Sequence, residues 1–246
     1  MAQSRFGAGF LWGVPVGVAN PTPVMFSALQ DCSVDWSQDN KMLYGSGKYP
    51  IEQAAGKAKL EVKATVGRID PLLFNTIFFG GLSASTVTLG SAGEAAVIPA
   101  TPFTITVAQG AQFRVDLGVY DVALGVYMTR VASAPATGQY TVNTTTGAYL
   151  FAVADVGKSL LIYYTYGASS GGFTITSGNP ILGSAVYFRA TLQQAYNGKQ
   201  SVLTINKNMA SKLSMPLKLD DFTLPAFTFS AQDDDTGNVF SYSSQT

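Results

Sequence analysis

Histidine is absent from the chain. Its absence removes the commonest general base, the usual zinc ligand and the base half of every Ser-His or Cys-His pair. Cysteine occurs once, as Cys32, so neither an internal disulfide nor a multi-cysteine metal site can be built. With no histidine to activate it, Cys32 reads as a small buried hydrophobe. Charge is scarce too: Asp, Glu, Lys and Arg make up 12% of 246 residues, about half the usual share. Fifteen basic residues balance fifteen acidic ones, which leaves no basic excess to hold a nucleic-acid backbone. Soluble monomers usually keep a net charge that holds them apart, so a balanced, sparsely charged surface suits an assembly. No run of 18 uninterrupted apolar residues occurs, and no membrane-spanning helix is expected. The opening MAQSRFGAGFLWGVPVGVAN has one Arg and an apolar run, as a secretory signal does. Gly7, Gly9, Gly13, Pro15 and Gly17 interrupt it, however, and we read an extended arm that lies on a neighbouring surface.

The motifs supply no active site either. Glycines are plentiful, yet no GxGxxG or GxxxxGK[ST] sits between a strand and a helix, so a nucleotide cradle is unsupported. Asp233, Asp234 and Asp235 with Gly237 lack the distal Glu of a calcium loop and read as an Asx-rich turn. The expectation is therefore no enzyme, no cofactor and no metal.

What is present is β-forming: Gly, Thr, Ser, Val, Phe and Tyr favour strands and turns. The organising stretch is Gly56–Gly81, GKAKLEVKATVGRIDPLLFNTIFFGG. Leu60, Val62, Ala64 and Val66 alternate with Lys59, Glu61, Lys63 and Thr65, the period of a half-buried strand. Asp70 then offers an N-cap and Pro71 a first helical position. Leu73, Phe74, Ile77 and Phe78 follow at spacings of three and four, which predicts a short helix with one packing face, stopped by Gly80-Gly81.

Before this unit, a first strand is expected near Val24–Leu29. Ser33–Gly56 is then polar and glycine-rich but carries Trp36, Met42, Leu43, Tyr44 and Tyr49. Two readings stand: an ordinary hairpin with one side on the core, or a projecting loop that packs on another subunit. Residues 86–175 form a region with its own character, entered through GSAGEAAVIPATP and left through GASSGG. Short strands are expected at Phe103–Val107, Gln112–Leu117, Gly125–Val131, Tyr140–Asn143, Tyr149–Ala154 and Ser159–Tyr166, the last three as a meander. This predicts a β-module inserted into a domain made of residues 1–85 and 176–246. In the last third, Asn197-Gly198 between two alternating runs is a strong hairpin signal. Lys207–Leu213 reads as a helical turn, and Phe222, Leu224, Phe227 and Phe229 lead to a last strand at Val239–Tyr242. The fold class expected is all-β with one short helix, as packed antiparallel sheets.

Three blocks, taken in order, resemble the tail tube (major tail) proteins of long-tailed bacteriophages. They are KMLYGSGKYPIEQAAGKAKLEVKATVGRIDPLLFNTIFFG, YFRATLQQAYNGKQSVLTINK and KLDDFTLPAFTFSAQDDDTGNVFSYS. The central GQYTVNTTTGAYLFAVADVGKSLLIYYTYG is similar to modules found inside phage structural proteins. The resemblance implies a sandwich or barrel with a flanking helix, assembled as hexameric rings that stack into a tube. It implies that Trp36, Met42, Leu43, Tyr44 and Tyr49 form a ring-stacking loop and that the inserted module sits on the outer face. It implies a virion location after synthesis in the host cytoplasm. The implied partners are terminator, tape-measure and distal tail proteins, with genomic DNA passing through the lumen unbound and no membrane contact. A capsid decoration or head-completion protein, and a secreted β-rich adhesin, are the alternatives.

Overall fold

Residues 6–68, 70–80, 83–84, 87–168, 171–172 and 174–245 are described by a computed structural model. Packing divides the chain into two units, Met1–Ser83 with Ile175–Thr246, and Ala84–Thr174. The described residues are mostly antiparallel β-structure with one short helical segment. Gly81, Thr86, Ser169 and Ser170, used above as stop, boundary and flank, lie outside the described residues.

The first unit opens with β1 (Phe10–Pro15) and β2 (Val24–Met25), followed by two long strands, β3 (Leu29–Tyr44) and β4 (Pro50–Val66). Leu60, Val62, Ala64 and Val66 are buried while Lys59 and Lys63 stay exposed, so the sequence period is the burial period. Asp70 accepts from the N–H groups of Leu72 and Leu73 at 2.9 and 3.4 Å. It starts α1 (Pro71–Phe74), which widens into a π-helix over Asn75–Phe79. A 2.7 Å bond from the Gly80 N–H to the Asn75 carbonyl closes it, with Gly80 in the left-handed region. Leu73, Phe74 and Ile77 are buried, and Phe78 packs at the core margin, 6.3 Å from the Phe227 ring. The predicted packing face is present; the wider helix was not legible from spacings of three and four.

β5 (Ser83–Ala84) spans the boundary, and the second unit then runs through β6 (Val87–Gly90), β7 (Glu94–Val97), β8 (Thr104–Thr106) and β9 (Phe113–Asp121). It continues with β10 (Val126–Tyr127), β11 (Thr129–Arg130), β12 (Gln139–Asn143), β13 (Ala148–Phe151) and β14 (Ser159–Ala168). The short β15 (Thr174–Ile175) pairs with β5. One sheet is ordered β10-β9-β14-β6 with β7 also on β14; the other is ordered β11-β12-β13-β8. Val119, Tyr149, Phe151, Leu160, Ile162 and Tyr164 are at the centre of its core.

The expected meander breaks after its second strand. β12 pairs with β13, but β14 joins the other sheet beside β9. The connection is a 3-10 turn, Val153–Asp155, and its Asp155 is buried. Asp155 accepts the Gly138 N–H at 2.8 Å and lies 2.8 Å from the Lys158 ammonium, which also reaches buried Asp121 at 3.2 Å. This anchoring of one turn by two carboxylates and a lysine carries the chain across the core. Nearby, the Asp116 carboxylate accepts from the hydroxyls of Tyr140 at 2.8 Å and Tyr149 at 3.0 Å. Burial first, and then that carboxylate, push both phenols above their ordinary pKa.

The chain re-enters the first unit for β16 (Tyr187–Tyr196), β17 (Lys199–Ser214), β18 (Ala226–Gln232) and β19 (Phe240–Ser244). Asn197 and Gly198 take φ of 49° and 74°, as a two-residue hairpin turn requires, and join β16 to β17. The sheet order is β2-β1-β16-β17-β18-β4-β3, with β19 on β17, and the sheet curls into a half-barrel. Curling lets Leu11, Val62, Phe188, Ala190, Ile205 and Phe229 share one core with the helix.

Three expectations need correction here. The opening segment is not an extended arm laid on a neighbouring surface: Phe10–Pro15 is a strand that pairs with β16 in its own sheet and buries Leu11. Its Gly13 is there for space, since a Cβ would stand 3.2 Å from the Phe26 ring and 3.3 Å from Ile77. Val24–Leu29 is not one strand; the chain turns at Ala28, whose carbonyl accepts the Gly67 N–H at 2.8 Å. Lys207–Leu213 is not helical, because β18 pairs along it from Lys207↔Gln232 to Ser214↔Ala226. Phe222 and Leu224 precede β18, which holds Phe227 and Phe229.

Candidate assembly surface

Ser33–Gly56 is not an irregular loop. It belongs to the β3–β4 hairpin, whose ladder runs from Leu29↔Val66 to Tyr44↔Pro50. β18 covers β4 only as far as Glu61, and from Pro50 to Lys59 no β4 side chain is fully buried. At about 3.3 Å per residue, that free length projects roughly 30 Å. The backbone bonds of the ladder order the hairpin within the folded chain, so its backbone entropy is already lost on folding.

The apolar residues divide between two places. Trp36 sits at the hairpin base opposite Leu60; Met42, Leu43, Tyr44 and Tyr49 sit at the tip. Trp36 is 58% exposed, Leu43 59%, Tyr44 57% and Tyr49 83%. Met42 and Tyr44 share a face by alternation, and the Tyr44 hydroxyl meets the Met42 sulfur at 3.3 Å. Leu43, paired with Glu52, points the other way. Ile51, which the sequence did not single out, adds another exposed apolar side chain at the tip. On the base's opposite face Lys63 bridges Asp35 at 3.2 Å and Glu61 at 3.7 Å, and Lys59 also pairs with Glu61. The base therefore has one apolar and one charged face; the tip presents apolar side chains on both, with Lys41 and Glu52 beside Leu43.

Trp36 also lines an open groove of about 420 Å³. Val34 and Leu60 flank it on the hairpin side, with Leu192, Leu203, Phe240 and Tyr242 across from them. Gln194 and Ser201 are its polar members, and no charged residue lines it. Behind it the core closes over Leu11, Val62, Ala190 and Ile205, so the groove is a place where the core of the half-barrel opens to water. The expected last strand is present as β19, but its pairing with β17, which brings Phe240 and Tyr242 to the groove, is not legible from the sequence.

Cys32 lies on β3 at the core margin, and burial first, then Asp31, push its thiol up to about 11. A thiol at about 11 in place of 9.0 holds about a hundredfold less thiolate near pH 8, so alkylation is expected to be about a hundredfold slower than for a free cysteine. Iodoacetamide labelling followed by mass spectrometry checks this, and labelling at the free-thiol rate would place Cys32 in water.

The Asp-rich turn behaves as a turn. Asp233 accepts the Gly237 N–H at 2.9 Å, and Asp234 accepts those of Thr236 and Asn238 at 3.0 and 3.1 Å. Among the described residues, no group of three or more His, Cys, Asp or Glu side chains could hold a metal ion. No helix among them is long and apolar enough to cross a membrane. No protein-family model matches the chain, and no curated protein matches it.

Proposed function

We propose that the protein is a structural subunit that self-assembles into stacked hexameric rings, forming the tail tube of a long-tailed bacteriophage. The observation that carries this reading is the β3–β4 hairpin: an ordered ribbon that leaves its own core and ends in exposed Met42, Leu43, Tyr44, Tyr49 and Ile51. Aromatic and methionine side chains of this kind anchor interfaces, and they gain nothing from water. A second support is the edge. β3 stands at the end of the sheet order, so its 16 residues have a strand partner on one side only. Long open edges invite pairing with another chain, and a closed ring of subunits removes them.

The remaining features fit a conduit. Equal numbers of acidic and basic residues give DNA no counterion-release affinity, so it passes without being held. The three sequence blocks occur in the order seen in tail tube proteins, with the second unit inserted between the first and second, facing outward. Terminator, tape-measure and distal tail proteins are the partners of such a tube in the virion. Sedimentation velocity over rising concentration tests self-association. The expected result is a species of six times the 25.9 kDa chain mass, followed by larger multiples. A single monomeric boundary at millimolar concentration would reject it.

A further inference from the structure

Resting on the self-assembly proposed above, we infer that the apolar groove at the hairpin base is filled by the Met215–Pro225 loop of a second copy of the chain. The loop joins β17 to β18 and belongs to neither. Pro216 and Pro225 bracket it, and proline cannot donate to a ladder. Its apolar side chains are turned out: Leu217 is 87% exposed, Leu219 103% and Phe222 83%. It has a presented shape nonetheless. Lys218 bridges Asp221 at 2.6 Å, and the same carboxylate accepts the Phe222 N–H at 2.8 Å.

Groove and loop occupy opposite ends of one strand. Leu203 on β17 lines the groove, and Ser214 at the end of β17 begins the loop. Eleven residues of strand separate them by about 35 Å. The loop therefore cannot fold back into its own groove; a second molecule must supply it. Two different patches, knob and hole, placed at opposite ends of a rigid element form a head-to-tail contact that propagates along the strand direction. This direction is also the one in which the hairpin tip projects, since β4 pairs antiparallel to β18 and β18 antiparallel to β17.

The contact is small by itself. Aromatic side chains bury about 150–250 Å² each, so covering the exposed parts of Trp36, Phe240, Tyr242 and Phe222, with the leucines, removes about 800 Å². Stable pairs bury about 1,200–2,000 Å². One such contact leaves monomers soluble, and only many contacts made together hold a stack.

Two variants test the inference against the parent protein. In Leu217→Asp/Leu219→Asp the altered side chains are exposed, so the fold is expected to melt as the parent does. Carrying two carboxylates into an uncharged groove should raise the concentration needed for assembly by about a hundredfold or more. In Leu217→Cys/Tyr242→Cys, mild oxidation should give a ladder of cross-linked chains, which neither single variant gives. Parent assemblies with an unaffected Asp variant, or with no ladder from the Cys pair, would overturn this contact and leave self-assembly standing. A parent that stays monomeric would overturn both.

Discussion

Replacing both Leu43 and Tyr44 with serine is expected to abolish long tubes while leaving thermal unfolding nearly unchanged. Neither side chain belongs to a core cluster, and both are more than half exposed on a ribbon beyond the reach of β18. Exposed substitutions of this kind cost within about 0.5 kcal/mol, with a little more for lost strand preference. The interface effect is far larger. Buried aromatic and large apolar anchors contribute about 2 kcal/mol or more each, so a subunit contact loses roughly 4 kcal/mol, near a thousandfold. Because the two side chains point to opposite faces of the ribbon, the double variant strips both. Calorimetry and electron microscopy of the same sample separate the outcomes. Early unfolding would move these residues into the core, and tubes of normal length would remove them from stacking.

The second large effect is expected in the inserted unit, from Lys158→Met. Lys158 is the cation shared by Asp121 and Asp155, both of which are buried. Its loss leaves two carboxylates in the core without a counter-charge. Breaking a buried pair costs about 3–5 kcal/mol, and some solvent access at Lys158 places this case near the low end. For a unit of this size, about 3 kcal/mol lowers the melting temperature by more than about 10 °C.

The pH dependence follows from the same groups. Burial alone would raise the Asp121 pKa, but the Leu124 N–H and the Lys158 ammonium hold it below its ordinary 3.8. Its contribution is present above pH 3.8 and is lost as pH falls through the lowered folded value. The Asp155 carboxylate, against burial, raises Lys158 above 10.5, so that contribution is present below 10.5 and lost as pH rises through the raised value. The parent unit should therefore be most stable between these limits. The deficit of Lys158→Met should shrink on acidification, as protonation relieves the unpaired Asp121 carboxylate. A variant that melts with the parent at neutral pH would show that solvent already screens the cluster.

The parts of the fold that were legible in the sequence are those where local chemistry and tertiary demand coincide. The alternation from Leu60 to Val66, the Asp70-Pro71 start and the Asn197-Gly198 turn each state a conformation within a few residues. Lys207–Leu213 misled because its partner strand, β18, lies some twenty residues downstream and only pairing reveals it. The crossing at Asp155 was hidden for the same reason: Gly138 and Asp121, which help hold it, are distant in sequence. Of the candidate assembly surface, the tip residues were visible as apolar side chains in a polar, glycine-rich stretch. The groove was not, since Trp36, Leu203 and Tyr242 meet only after the sheet curls.

Electron microscopy of the purified parent protein tests the central claim most directly. The account predicts six-fold rings end-on and striated tubes of stacked rings side-on. Fields containing only monomers, or closed rings that never stack at any concentration, would contradict it.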